Sequence, residues 1–209
     1  MGRAGRNKTK AKGVRALTRA QRTAVLNRAA RLVAEVNDGK AQCIERIALL
    51  EGVADLLHVR AEPVPVAVAA QGPAGSCLLG EAVDGVIPTI PGGTVRRSPT
   101  TADWNGAGHL ILFAPQESRL FDPTLNQVSP ATGLPRGALV MPVTADQLYG
   151  DDLTFGIGEG GLVLYRVVPG DSTWRTAYNA QYAGLGRSAR VVARRALELE
   201  GFDEDLVAE

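Results

Sequence analysis

Apolar positions recur every three or four residues in the first part of the chain and every second residue after position 62, so helices followed by an antiparallel sheet are expected. Thr18 opens the first helix. Its hydroxyl suits the N-cap, Gln21 stands where a capping box needs it, and Val25, Ala29, Leu32, Val33 and Val36 form the apolar stripe. Asn37, Asp38 and Gly39 end that helix. A second is predicted over residues 42–57, with Ile44, Ile47, Ala48, Ala54 and Leu57 toward the core and Cys43 in its first turn. Residues 62–70 (EPVPVAVAA) read as a strand whose prolines suit a sheet edge or a strand start. Residues 108–114, a turn at 115–118 and residues 119–122 read as a hairpin. Further strands are predicted at 138–143, 154–157 and 162–168, and a closing helix at 188–200 with Val191, Val192, Arg195 and Leu199 near one face. Residues 71–107 are rich in Gly, Pro, Ser and Thr and too long for a simple connection, which suggests a functional loop or lid with a short element near 78–83. The fold class is therefore α+β, N-terminal helices packed on an antiparallel sheet.

Composition narrows this picture. At 209 residues and 45% hydrophobic content the chain supports one packed domain. No apolar run reaches the ~20 residues of a membrane span and no signal segment is evident, so a cytoplasmic protein without a membrane partner is expected. Charge is distributed unevenly: residues 1–34 hold ten Lys or Arg and no acid, leaving 13 bases and 22 acids in the rest. Residues 1–16 read as a flexible basic arm and 17–209 as a single domain. Residues 1–34 suit contact with nucleic acid, an acidic partner or an anionic surface, or else a solubilising tail, or self-docking onto the acidic body.

Two His and two Cys leave few candidate sites. Cys43, His58, Cys77 and His109 lack the close paired spacing of a zinc site, so neither a metal nor a cofactor is expected. A thiol opening a helix faces the positive end of the helix dipole, which favours the thiolate; Cys43 has that position. His58 lies fifteen residues along the same helix, roughly 22 Å away at ~1.5 Å per residue, leaving His109 as the base. Asp122 lies across the predicted hairpin, where a carboxylate can orient the imidazole. The alternative for each residue is structural: Cys43 as a small core side chain, His109 as a satisfied sheet residue, Asp122 as the opening of an Asp-Pro turn. Cys77, in Gly75-Ser76-Cys77, is an alternative nucleophile. Residues 156–161 (GIGEGG) have dinucleotide-motif spacing but open no helix, and read as a hairpin turn. Trp104 and Trp174 are candidates for lining a substrate groove, or for core positions.

Gln42-Cys43 running through Leu50, Val53 and Leu57 to Val59-Arg60-Ala61, then Gly108-His109-Leu110, then Leu120-Phe121-Asp122-Pro123-Thr124, resembles the transglutaminase-like branch of the papain-like cysteine enzymes over about residues 42–127. The resemblance implies a papain-like fold and a Cys43, His109, Asp122 triad. It also implies a thiol-dependent hydrolase or acyltransferase acting on an amide, peptide or acyl substrate through a thioester. The oxyanion would meet the Cys43 backbone N–H and a second donor, with Gln42 and Gln127 as candidates. The alternative is a non-enzymatic binding protein that reuses the fold and contacts nucleic acid or an acidic partner through its basic arm.

Overall fold

The computed structural model describes residues 17–36, 42–80, 96–97, 108–150 and 152–207. The basic arm at 1–16, Trp104 and much of the 71–107 stretch lie outside the described residues. Helix α1 (Arg19–Glu35) starts at the capping signal: the Gln21 N–H donates to Thr18 Oγ1 at 3.3 Å and the Thr18 N–H to Gln21 Oε1 at 2.9 Å. Val25, Ala29 and Val33 are buried along with Leu26 and Ala30, whereas Val36 follows the helix and is exposed. Helix α2 (Cys43–Leu56) ends in a Schellman motif, in which the Val59 N–H reaches Ala54 O at 2.8 Å and the His58 N–H reaches Asp55 O at 2.9 Å. That turn puts His58 in the left-handed region at φ 55 and sends the chain into the sheet.

The strands are β1 (Glu62–Gly72), β2 (Gly75–Leu79), β3 (Arg96–Arg97), β4 (His109–Ala114), β5 (Arg119–Asp122), β6 (Leu139–Pro142), β7 (Leu153–Ile157) and β8 (Gly161–Val167). Short helices α3 (Ser129–Thr132) and α4 (Ala145–Gly150) flank β6, and α5 (Arg175–Gly184) and α6 (Gly186–Leu199) follow the sheet. The result is α+β, helices against a curled half-barrel sheet that is antiparallel except for the β2–β3 pair.

Strand β1 is central, not an edge, and its register explains its prolines. β8 pairs with Val66 to Gln71 on one side. The other side is shared end to end: β4 pairs with Glu62 to Val66 and β2 with Val68 to Gly72. Pro65 O accepts the Val168 N–H at 3.0 Å, so the missing N–H of Pro65 faces the β8 side just before that pairing begins, and no bond to β4 is lost.

The helices bury one face of the sheet through Leu110, Leu112, Ala114 and Phe121. The opposite, inner face gathers Val64, Val66, Val68, Ile111, Phe113, Leu120, Val163 and Tyr165. Helix α2 lies in the middle of the helical layer, touching α1, α5, α6 and β4, so its apolar residues are buried on most of its circumference. Helix α6 differs from expectation. It buries Ala189, Ala193, Ala196 and Leu197, while Val191 is 63% and Leu199 42% exposed. Small residues win this contact because α6 crosses α2 closely: a Cβ on Gly52 would stand 3.1 Å from the Ala189 Cβ. Residues 156–161 form the β7–β8 hairpin, with Ile157 opposite Gly161 and positive φ at Gly158 and Gly160. No helix among the described residues is long and apolar enough to cross a membrane.

Candidate active site

The site lies where β1 changes partners. Gly80, just after β2, and Gly108, just before β4, bring their backbones into contact; a Cβ on Gly108 would stand 2.1 Å from Gly80, and φ there is +79°. Only glycine fits both the conformation and the approach. His109 follows immediately as the first residue of β4, opposite Val66. The hairpin register sets Leu112 against Phe121, which places Asp122, the last residue of β5, diagonal to His109 on the same face. The hairpin is tied to the helical layer through its turn, where Glu117 accepts from Arg19 Nε at 3.1 Å and Thr23 Oγ1 at 2.7 Å.

His109 and Asp122 are 1% and 0% exposed, and His109 Nε2 lies 2.9 Å from Asp122 Oδ2. Every side of this carboxylate has a donor. Tyr165 Oη donates to Oδ2 at 2.7 Å, and Oδ1 accepts both the Thr124 N–H at 2.8 Å and the Thr124 hydroxyl at 3.0 Å. The turn reading of Asp122 and the orienting reading thus describe different oxygens of one group. With all four donors in place Asp122 is ionised, and the hydrogen-bond network assigns His109 Nε2 a proton, which it donates to Oδ2.

Electrostatics follow from the same contacts. Burial pulls the imidazolium of His109 down, but the charge and hydrogen bond of Asp122, then those of Cys43, outweigh it and push the pKa up to about 10. Burial pushes Asp122 up, but His109, Tyr165 and Thr124 hold it below its ordinary value. Tyr165 is raised well above its ordinary value by burial beside that carboxylate, which keeps it protonated and donating.

The other ring nitrogen, Nδ1, is buried and makes no hydrogen bond of standard geometry. Cys43, at the first position of α2 and 7% exposed, is the other side chain whose hydrogen bond and charge act on this ring. The thiol is therefore a near neighbour of the ring. Cys77, also outside any disulfide, is buried in the inner sheet core among Val64, Val66 and Leu79. The structure brings Cys43, His109 and Asp122 together and leaves His58 exposed beyond the far end of α2.

The remaining candidates are placed differently. Gln42 stands at the N-cap position of α2, and its Oε1 accepts from Arg46 Nη2 at 2.7 Å, which ties its amide oxygen to its own helix. Gln127 ends the 3-10 turn after Asp122, and its Nε2 is buried without a partner, an unspent donor. Trp174 is not on a groove: it is 2% exposed, packs edge-on against Tyr178 and donates Nε1–H to Asp171 O at 2.9 Å. Tyr165 is the residue that sequence reasoning missed. Its signal was a lone hydroxyl in the inward row Val163, Tyr165, Val167, where a buried Tyr needs an acceptor. Among the described residues no group of His, Cys, Asp and Glu has the arrangement of a metal site. No family model, curated protein or solved structure matches this chain.

Proposed function

We propose that the chain is a thiol-dependent hydrolase or acyltransferase of papain-like, transglutaminase-like architecture, acting on an amide, peptide or acyl carbonyl through Cys43, His109 and Asp122. The observation that carries this reading is one buried ring, His109, with a fully hydrogen-bonded carboxylate on Nε2 and Cys43 as its other neighbour. Cys43 passes its thiol proton to His109 Nδ1, and Sγ attacks the carbonyl carbon, forming a C–S bond while the carbonyl electron pair moves onto oxygen. Collapse expels the amine or alkoxide, which takes a proton from His109 and leaves a thioester. Water, or an acceptor amine or hydroxyl, then attacks the thioester and gives its proton to His109, and Cys43 departs as thiolate. Asp122 stays ionised throughout and fixes the ring. The oxyanion meets the Cys43 backbone N–H, one of the unpaired donors of the first turn of α2. The unpartnered Gln127 amide is the first candidate for the second donor, ahead of Gln42.

An activated ester tests this reading. With p-nitrophenyl acetate the protein is expected to release nitrophenolate in a burst stoichiometric with the chain, and intact mass to show one acetyl group on Cys43. Cys43→Ala removes both signals, and His109→Ala slows acylation by about 100-fold or more. If Cys43 acylates no faster than Cys77, the reading is wrong.

A further inference from the structure

We infer that the groove between the C-terminal end of α2 and the N-terminal end of α6 binds a small zwitterion with an apolar body, the chemistry of a free apolar amino acid or a short apolar peptide. The inference is independent of whether Cys43 is reactive, since the groove lies at the other end of α2. Its floor is set by the crossing of the two helices, where Gly52 meets Ala189. Beside that contact Leu56, Leu206 and Val207 supply apolar surface. The groove offers about 500 Å³, within the size range of small-molecule sites, which typically combine an apolar lining with a few polar groups.

The observation that points to a zwitterion is charge of opposite sign on the two walls, left unpaired. Asp55 comes from α2 and Arg190 from α6; both are exposed, both line the groove, and neither forms an ion pair among the described residues. Asp55 Oδ2 accepts from the Tyr182 hydroxyl, which leaves Oδ1 open. Each wall is also a helix end of the same sign as its side chain. Asp55 lies in the last turn of α2, at the negative end of the dipole, and no basic residue in that turn offsets it. Helix α6 starts after Leu185 without a side-chain cap and has no acid in its first turn, so its free N–H groups stand at the Gly186 edge of the groove. Arg190 is four residues after Gly186 on the same face, and a long helical side chain leans toward the N-terminus, which returns the guanidinium to that turn. A Cβ on Gly186 would meet nothing within 4 Å, so the approach there is open. A carboxylate at the negative end and an arginine reaching the positive end oppose both dipoles, and neither exposed side chain repays this in packing. A ligand repays it: an ammonium meets Asp55, a carboxylate meets Arg190 and the first N–H groups of α6, and the apolar body covers Leu56, Leu206 and Val207. A ligand with one charge alone would answer one wall and leave the other unanswered.

NMR titration of the full chain with L-leucine and with L-leucyl-L-leucine tests this, because chemical shifts read weak affinities and report where the ligand sits. At least one of the two is expected to bind with a Kd of about 1 mM or tighter, and the tighter one tells a free amino acid from a peptide as the ligand class. Its N-acetylated and C-amidated forms, which each lack one charge, should bind at least about tenfold more weakly, the loss of one charge-assisted hydrogen bond. Asp55→Asn and Arg190→Gln change exposed positions and should each weaken the parent ligand by a similar factor. The losses should also pair: Asp55→Asn leaves the affinity for the acetylated form unchanged, and Arg190→Gln that for the amidated form. Cys43→Ala should bind as wild type does, which separates this site from the thiol and excludes turnover of the peptide. Three results would overturn the proposal: no saturable binding of either zwitterion, full affinity for a form lacking one charge, or an unchanged affinity for the parent ligand in either groove variant.

Discussion

The two ends of α2 carry the same kinds of residue and opposite physics. The N-terminal end holds Cys43 against His109, closed over and charge-compensated by Asp122. At the C-terminal end, roughly 20 Å away along 14 residues, His58 is exposed at the rim of an open groove of about 500 Å³, with Asp55, Tyr182 and Arg190 also lining it. Asp55 accepts from the Tyr182 hydroxyl, a pair left in solvent. A histidine and a carboxylate are thus present at both ends, and what separates them is desolvation. Inside, each charge must be answered by a partner; outside, water answers it.

The largest effect should come from removing the carboxylate at each end. Asp122→Ala strands the protonated His109 and the Tyr165 and Thr124 donors, and should cost about 3–5 kcal/mol in urea unfolding, the usual cost of breaking a buried pair. Asp55→Ala should cost less than about 1 kcal/mol. The gap between wild type and Asp122→Ala should also depend on pH. His109 is raised from 6.5 to about 10, so its contribution is complete below pH 6.5 and fades as pH climbs through 10. Asp122 is lowered from 3.8, so its contribution is present above that value and fades on acidification below it. The Tm difference should therefore be widest between about pH 4 and 6.5 and narrow toward both extremes. A difference that stays level from about pH 3 to pH 10 would mean that the pair is not ionised as its hydrogen bonds indicate.

A smaller effect separates orientation from packing at the closed end. Tyr165→Phe keeps the ring beside Phe155 and removes only the hydroxyl on Asp122 Oδ2, a hydrogen bond to a charged acceptor worth about 1.5–3 kcal/mol. The Tyr165 donor is one of the groups holding the Asp122 carboxyl down, so its loss should shift the acid limb of the Tm–pH curve to higher pH. A purely structural role for Tyr165 would lower Tm equally at every pH.

How much of this was legible in the sequence follows from range. Thr18 with Gln21, Cys43 at a helix start, and His109 and Asp122 on two arms of one hairpin are all signals within about a dozen residues, and each element formed where it was expected. Tyr165 reaches Asp122 across 43 residues, through a β1–β8 pairing that no local pattern announces. The central place of β1 was hidden for the same reason, since the prolines that suggested an edge mark only the stretch before β8 joins. Helix α5 went unseen because few of its residues face the core; of its ten, only Tyr178 is buried. The apolar stripe assigned to α6 failed because tight crossing over Gly52 favours alanine over valine, and valine was read as the core signal.

The smallest effect tests whether the two ends of α2 are independent. His58 holds a left-handed conformation, φ 55, where its Cβ crowds the following carbonyl, and its exposed side chain forms no ion pair among the described residues. Glycine adopts that conformation without the crowding but adds freedom to the unfolded chain, so His58→Gly should stabilise the protein by about 0.5–1 kcal/mol in urea unfolding. The Schellman bonds from His58 and Val59 are backbone bonds and survive the change. Because the closed end gains its rigidity from Asp122, Tyr165 and Thr124 rather than from the exit of α2, the acylation rate of Cys43 should be unchanged. A gain in stability accompanied by a changed rate would show that strain at one end of the helix sets the position of the thiol at the other.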